Sequence, residues 1–145
     1  MAKLVDARDS KSRDVTVMSV RVRPLAPLLK EVVMQMQSCI FCKIINHEIP
    51  CTVIMQTDNI LVIQDINPQA PTHYLILPKR HIADLRECNP EDKFLLGDML
   101  LVSKELSKNL TSSHDYRLQV NNGYAAGQRV FHMHMHFLAG KDMAA

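Results

Sequence analysis

Val130-Phe131-His132-Met133-His134-Met135-His136-Phe137-Leu138 is the stretch on which the reading of this chain turns. Three histidines alternate with apolar residues. On a β-strand successive side chains point to opposite faces. His132, His134 and His136 are therefore expected on one face, and Phe131, Met133, Met135 and Phe137 on the other, against a core. Each imidazole is polar and titrates near neutral pH, so three side by side are costly to bury unless they bind something. Three readings stand open on the motif alone: a metal site, a phosphate-handling catalytic site, or a solvated strand face.

Working outward, the sequence supplies partners for a final strand. Thr52–Gln56, Ile60–Gln64, His73–Leu77 and Tyr116–Val120 read as strands, with Thr57-Asp58-Asn59 as a hairpin turn. Asp65–Pro71 is a loop with two prolines, and Asn121–Arg129 a loop with Gly123 and Gly127. Cys39–Ile45 reads as one or two helical turns, ended by the approach to Pro50. A long helix starts at Asn89, a good N-cap, with Pro90 in the first turn. Its predicted buried stripe is Leu95, Met99, Val102 and Leu106, widened by Leu96 and Leu100. The fold class is α+β: an antiparallel five-stranded sheet with one long and one short helix.

The composition bounds the function. The chain has 145 residues, 47% hydrophobic and 22% charged, with net charge +2. Residues 1–35 hold seven Lys/Arg against four Asp/Glu, leaving a body of nearly zero net charge. A neutral body argues against nucleic acid as the partner, which needs a basic face. No apolar run approaches the ~20 residues that span a bilayer. Four cysteines are too few for a disulfide scaffold and read as reduced thiols, which places the chain in the cytoplasm. Residues 1–24 resemble the reading frame obtained by translating a bacterial tRNA gene. Residues 1–35 are accordingly expected to be a disordered extension or a start-site artefact, with a helical stub around Leu28–Met36 and no part in catalysis. Residues 36–145 are the domain.

The residues then match a family. His132-Met-His-Met-His-Phe-Leu138 fits the alternating pattern of the histidine triad (HIT) superfamily. Asp65-Ile-Asn-Pro-Gln-Ala-Pro-Thr-His73, followed by Leu-Ile-Leu-Pro-Lys-Arg-His81, is similar to the central segment of its Hint branch, as are Asn121 and Gly127-Gln128. The resemblance covers about Cys39 to Lys141. It implies a HIT fold, a homodimer, and hydrolysis or transfer at the α-phosphate of a purine nucleotide (an AMP or GMP moiety). Nucleoside 5′-phosphoramidates and acyl-adenylates are the typical substrates, and no cofactor is required for catalysis. The rivals are a dinucleoside polyphosphate hydrolase, a non-catalytic nucleotide-binding interaction module, and a metalloenzyme using all three histidines.

Carried over residue by residue, His134 matches the nucleophile and His136 the group that meets the phosphate and assists the leaving group. Asp65 matches the carboxylate for the ribose hydroxyls. Ile40, Phe41, Ile44 and Ile66 match the slot for the base, and Asn121 and Gln128 match polar contacts to phosphate or leaving group. Chemistry agrees: a neutral imidazole attacks phosphorus, and a protonated neighbour offsets charge and supplies a proton. Adjacent titrating groups push their pKa values apart, which suggests one neutral and one charged histidine. Backbone N–H groups near Gly127 are expected to receive phosphate oxygens. His73 either orients His134 or is a core histidine. Arg129 stands where the family carries a small or polar residue; it binds an anion or faces solvent.

Cys39-x-x-Cys42 has the spacing of half a structural zinc site. The resemblance to some bacterial HIT proteins completes it with His81 and His132. The plainer alternative is two small buried cysteines beside a histidine bonded to backbone.

Overall fold

The computed structural model describes residues 27–111 and 113–144. The chain divides into two units, Met1–Val33 and Met34–Ala145. The expected helical stub is the helix Pro27–Ser38 (α1). Of the reading of residues 1–35 as disordered or artefactual, residues 1–26 lie outside the described residues, and residues 27–35 are helical.

In the second unit, Ile40–Ile45 forms the short helix α2, with Phe41, Cys42 and Ile44 buried. It stops before Pro50 acts. Glu48 N–H reaches back to Lys43 O and His47 N–H to Ile44 O, while His47 takes φ +62°. That pair of reversed bonds closes a helix end through one left-handed residue. Five strands follow: Val53–Gln56 (β1), Ile60–Gln64 (β2), Thr72–Pro78 (β3), Tyr116–Val120 (β4) and Met135–Ala139 (β5). They form one sheet in the order β1-β2-β3-β5-β4, every neighbour antiparallel. Asn89 N–H donates to Asp92 Oδ2 at 2.8 Å, and Arg80 pairs with the same carboxylate. A single 3₁₀ turn, Pro90–Asp92, leads into the long helix α3, Lys93–Ser107.

The period of two sorts the sheet into two faces. Ile60, Val62, Ile76 and Phe137 pack with Met99, Val102 and Leu106 of α3. Leu61, Ile63, Leu75 and Leu77 pack with Phe41, Cys42 and Ile44 of α2. Each fully buried side chain of this size contributes about 1.5–3 kcal/mol against leaving it exposed. Both faces of β2 are covered, which is why its sequence is a continuous apolar run.

Two expectations are corrected. Leu100 does not widen the buried stripe but is 54% exposed, because the sheet is met by the side of α3 that carries Met99, Val102 and Leu106. The histidine run is a strand only from Met135. Ahead of it the backbone leaves the sheet, and Met133 N–H donates to Ile82 O at 2.6 Å. Phe131 is therefore 49% exposed instead of sharing a core face with Met133, Met135 and Phe137.

Candidate functional site

The site forms on the sheet face that carries α2. In the β3–β5 register Leu75 lies opposite His136 and His73 opposite Leu138. His73 and His136 are thus diagonal neighbours on one face, within reach of each other. His73 Nε2 and His136 Nδ1 lie 2.9 Å apart. His73, a buried histidine, meets His136 and not His134, because His134 stands before the first paired residue of β5. Phe41 comes down from α2 and sets its ring edge against both His134 (5.2 Å) and His132 (5.8 Å).

Backbone groups determine which ring nitrogen carries each proton, since a carbonyl can only accept and an N–H can only donate. His134 Nδ1 lies 2.7 Å from His132 O, so Nδ1 donates and Nε2 keeps its lone pair. His132 Nε2 donates to Pro78 O at 2.8 Å, so its Nδ1 keeps the lone pair. For His73 the backbone group is the opposite one. Gln69 N–H donates to its Nδ1 at 3.0 Å, so Nε2 carries the proton and donates a hydrogen bond to His136 Nδ1. Neutral His136 then holds its own proton on Nε2. One ring is left with a free lone pair and its neighbour with a free N–H.

His134 and His136 open into a cavity of about 420 Å³. Ile40, Phe41, Ile44, Asp65 and Ile66 line it, as do Asn121, Gly127 and Arg129. Ile66 is 90% exposed, an apolar side chain left at the mouth. Asp65 Oδ2 lies 3.4 Å from His73 Nε2, and its Oδ1 accepts from Asn67 N–H at 2.8 Å. Gln119, which the sequence reading passed over, lines the cavity from β4 directly opposite His136. Its polarity at an alternate strand position was the available signal. Gln119 Nε2 donates to Asn121 Oδ1 at 3.0 Å, which leaves the Asn121 amide as a donor.

Gln128 is brought near but not in. It is 1% exposed, and its amide is spent on backbone: Gly123 N–H donates to Oε1, and Nε2 donates to Ala83 O and Val130 O. Its side chain holds the loop instead of touching phosphate. The N–H groups of Gly127 and Gln128 are also committed, to Tyr124 O and Gly123 O. Those two N–H groups are therefore not open to phosphate oxygens. Gly127 is required for another reason: its φ is +97°, and an added Cβ would lie 3.3 Å from Asn121 Nδ2.

Electrostatics corrects the expectation of one charged histidine. Burial lowers the pKa of His134 below its ordinary value, despite the His132 carbonyl and Asp65. Burial, then the proximity of His134 and His73, lowers His136 to about 4. Burial also lowers His73, with Asp65 opposing. All three rings are neutral at pH 7. Arg129 is the only fixed cation in the lining among the described residues.

Two groups of side chains have ligand atoms within 4.8 Å of one another: Cys39, Cys42, His81 and His132, and separately Asp65, His73 and His136. In the first, His132 Nδ1 lies 3.6 Å from Cys39 Sγ and 3.5 Å from Cys42 Sγ, and His81 Nδ1 lies 3.2 Å from Cys42 Sγ. Zinc bonds of about 2.3 Å to sulfur and 2.0 Å to nitrogen put tetrahedral S···N edges at about 3.5 Å. The His132 lone pair faces the sulfurs, and the Pro78 carbonyl behind it is the usual outer support for a metal-bound histidine. This donor set fits zinc. Without a cation, burial and then Cys39 push the Cys42 thiol up to about 12. The second group does not fit, because Gln69 N–H places the proton of neutral His73 on the nitrogen that would have to ligate.

Residues 38–144 match the family model described as scavenger mRNA decapping enzyme C-term binding. An uncharacterized HIT-like protein of Synechocystis is 44% identical over 108 residues, 74% of this chain and 95% of that protein. A HIT family hydrolase from Legionella pneumophila is similar in structure, with TM-score 0.70, 46% identity, and coverage of 73% of this chain and 96% of that one. A Zn-bound histidine triad family protein from Mycobacterium smegmatis has TM-score 0.66 and 30% identity, covering 74% and 78%.

Proposed function

The chain belongs to the HIT-like family, and from that premise we propose that it is a Hint-type hydrolase of purine nucleoside 5′-phosphoramidates or acyl-adenylates, working through a nucleotidyl-His134 intermediate. The observation that carries the reading is the lone pair left on His134 Nε2 inside the cavity, since its other nitrogen donates to the His132 carbonyl. A neutral imidazole held this way is a nucleophile at pH 7. His136, linked through the His73 ring to Gln69 N–H, presents an N–H to a phosphate oxygen or departing amine.

In the first step His134 Nε2 forms a bond to phosphorus while the bond from phosphorus to nitrogen or acyl oxygen breaks. The departing amine or acylate takes the bonding pair, and for an amine the proton comes from His136, which carries a second proton once the bound phosphate has raised its pKa. Water then attacks the same phosphorus and gives its proton to His136, returning the nitrogen pair to His134 and releasing the nucleoside monophosphate. A bound anionic phosphate raises both histidines' pKa values from their free-protein level, which assists the proton transfer. Asp65 accepts from the ribose hydroxyls, and Ile40, Phe41, Ile44 and Ile66 hold the base. Zinc at Cys39, Cys42, His81 and His132 would tie α2 to the segment ahead of β5, outside the reaction. The exposed edge strand β4 and the exposed Phe94, Leu100 and Leu101 of α3 support a homodimer, which sedimentation would test. The four free thiols support a reducing, cytoplasmic setting.

The test is to quench the reaction with labelled adenosine 5′-phosphoramidate and map the label. A labelled adduct on the His134 peptide is expected. Turnover without any adduct on His134, under conditions that trap one on a control phosphohistidine enzyme, overturns the mechanism. Faster turnover of a diadenosine polyphosphate than of any phosphoramidate gives the substrate class to the rival.

A further inference from the structure

Arg129 stands at the junction of two concavities. It lines the cavity with His134 and His136, and also an adjoining cleft of about 500 Å³. Ile40 and Val130 share that boundary, and the exposed ring of Phe131 and the Glu87 side chain lie in the cleft. The guanidinium is not left to wander. Nη1 donates to Tyr124 O at 2.8 Å and to Gln128 O at 3.2 Å, and its carbon sits 4.3 Å over the Tyr124 ring. No ion pair holds Arg129 among the described residues, so Nε and Nη2 keep donors without an anion. A pinned guanidinium with spare donors has the planar fork that receives a carboxylate.

Resting on the hydrolase reading above, we propose that Arg129 selects the departing group: it binds an anionic substituent, a carboxylate above all, on the moiety released from phosphorus, which occupies the cleft against Phe131 and Ile40. The geometry separates two tasks. Asp65 and the apolar slot hold the nucleoside, and Arg129 reads what leaves. The open side of the cleft keeps the selection modest, because an exposed charge pair is screened by water.

Two substrates that differ only in that charge test it: adenosine 5′-phosphoramidate N-linked to phenylalanine, and its methyl ester. The full-length protein is expected to prefer the carboxylate about tenfold in kcat/KM, the scale of one charge-assisted contact. R129S and R129M should bring the ratio to about one, and R129K should keep part of it. The ratio is taken within one protein, so a partly unfolded variant does not distort it. A wild-type ratio near one overturns the proposal, as does a ratio unchanged in R129S. Equal losses on both compounds in R129S put the guanidinium on the transferred phosphate and overturn it too. If the wild type turns over neither compound, the hydrolase reading fails by itself. The same ratio is then read as two Kd values by calorimetry, where a value near one overturns this proposal and about ten supports it.

Discussion

The two histidine clusters at either end of the triad carry similar side chains and do opposite things. His132, beside Cys39, Cys42 and His81, has a carbonyl behind its ring; His73, beside Asp65 and His136, has a backbone N–H behind its ring. A carbonyl takes the imidazole proton and sends a lone pair forward, toward the sulfurs. An N–H takes the lone pair and sends a proton forward, toward His136. The first cluster is arranged as a ligand set would be, the second as a line of donors. What a group of histidines can do is thus decided by the main-chain atom at the rear of each ring.

The comparison breaks most visibly if His134 is removed. His134→Ala should lower kcat on a phosphoramidate by about 10³-fold or more, as loss of a covalent nucleophile does. AMP affinity by calorimetry should stay within a few-fold. A variant that still turns over would mean that the lone pair is not the nucleophile.

Chelation should divide the clusters next. Removing a bound metal, or Cys42→Ser, should cost about 3–5 kcal/mol of stability, seen as a large fall in Tm. kcat of the still-folded fraction at low temperature should change less than twofold. Loss of kcat ahead of unfolding would place a metal in the reaction.

Acid tests the second cluster. His136 has a pKa near 4 in the folded protein against an ordinary 6.5. The unfolded chain therefore binds the proton first. The contribution of neutral His136 to stability is complete above pH 6.5 and lost as pH falls through about 4. Allowing for screening at its solvent-facing side, that is about 2 kcal/mol. Urea unfolding at pH 7 and pH 4.5 should show His136→Phe losing less stability on acidification than the wild type. Activity should follow the same sign, persisting below pH 6.5 because His134 is also lowered.

The smallest effect sharpens the role of the rear N–H. His73→Phe removes the donor to His136 Nδ1 and frees its tautomer. We expect kcat to fall about tenfold, with the acid limb of the pH profile displaced and KM little changed. An unchanged pH profile would make His73 packing alone.

Much of this was legible before any coordinates. The continuous apolar run of Ile60–Gln64 and the alternation that leads into Met135–Ala139 reflect which side chains enter the two cores, and both patterns are local. The roles of Asp65 and Phe41 were what the family resemblance implies, and the pairing of the two cysteines came from their spacing; Asp65 and Phe41 line the cavity, and the cysteines lie beside His81 and His132. Gln128 was misread because a loop glutamine can serve substrate or main chain equally well. Only the fold shows its three backbone partners. Phe131 was misread because alternation cannot mark where a strand begins.

By itself, then, the sequence determined the five strands and the two helices that cover them, because these depend on periods of two and of 3.6, which neighbouring residues set. The site residues it supplied were those the family resemblance implies. The family resemblance implied different roles for the three histidines; tertiary structure alone shows which ring nitrogen of each carries the proton. The Pro78 carbonyl reaches His132 across 54 residues, and His73 reaches His136 across 63. A ring's proton follows whichever backbone atom the fold brings behind it, and no local pattern encodes that contact.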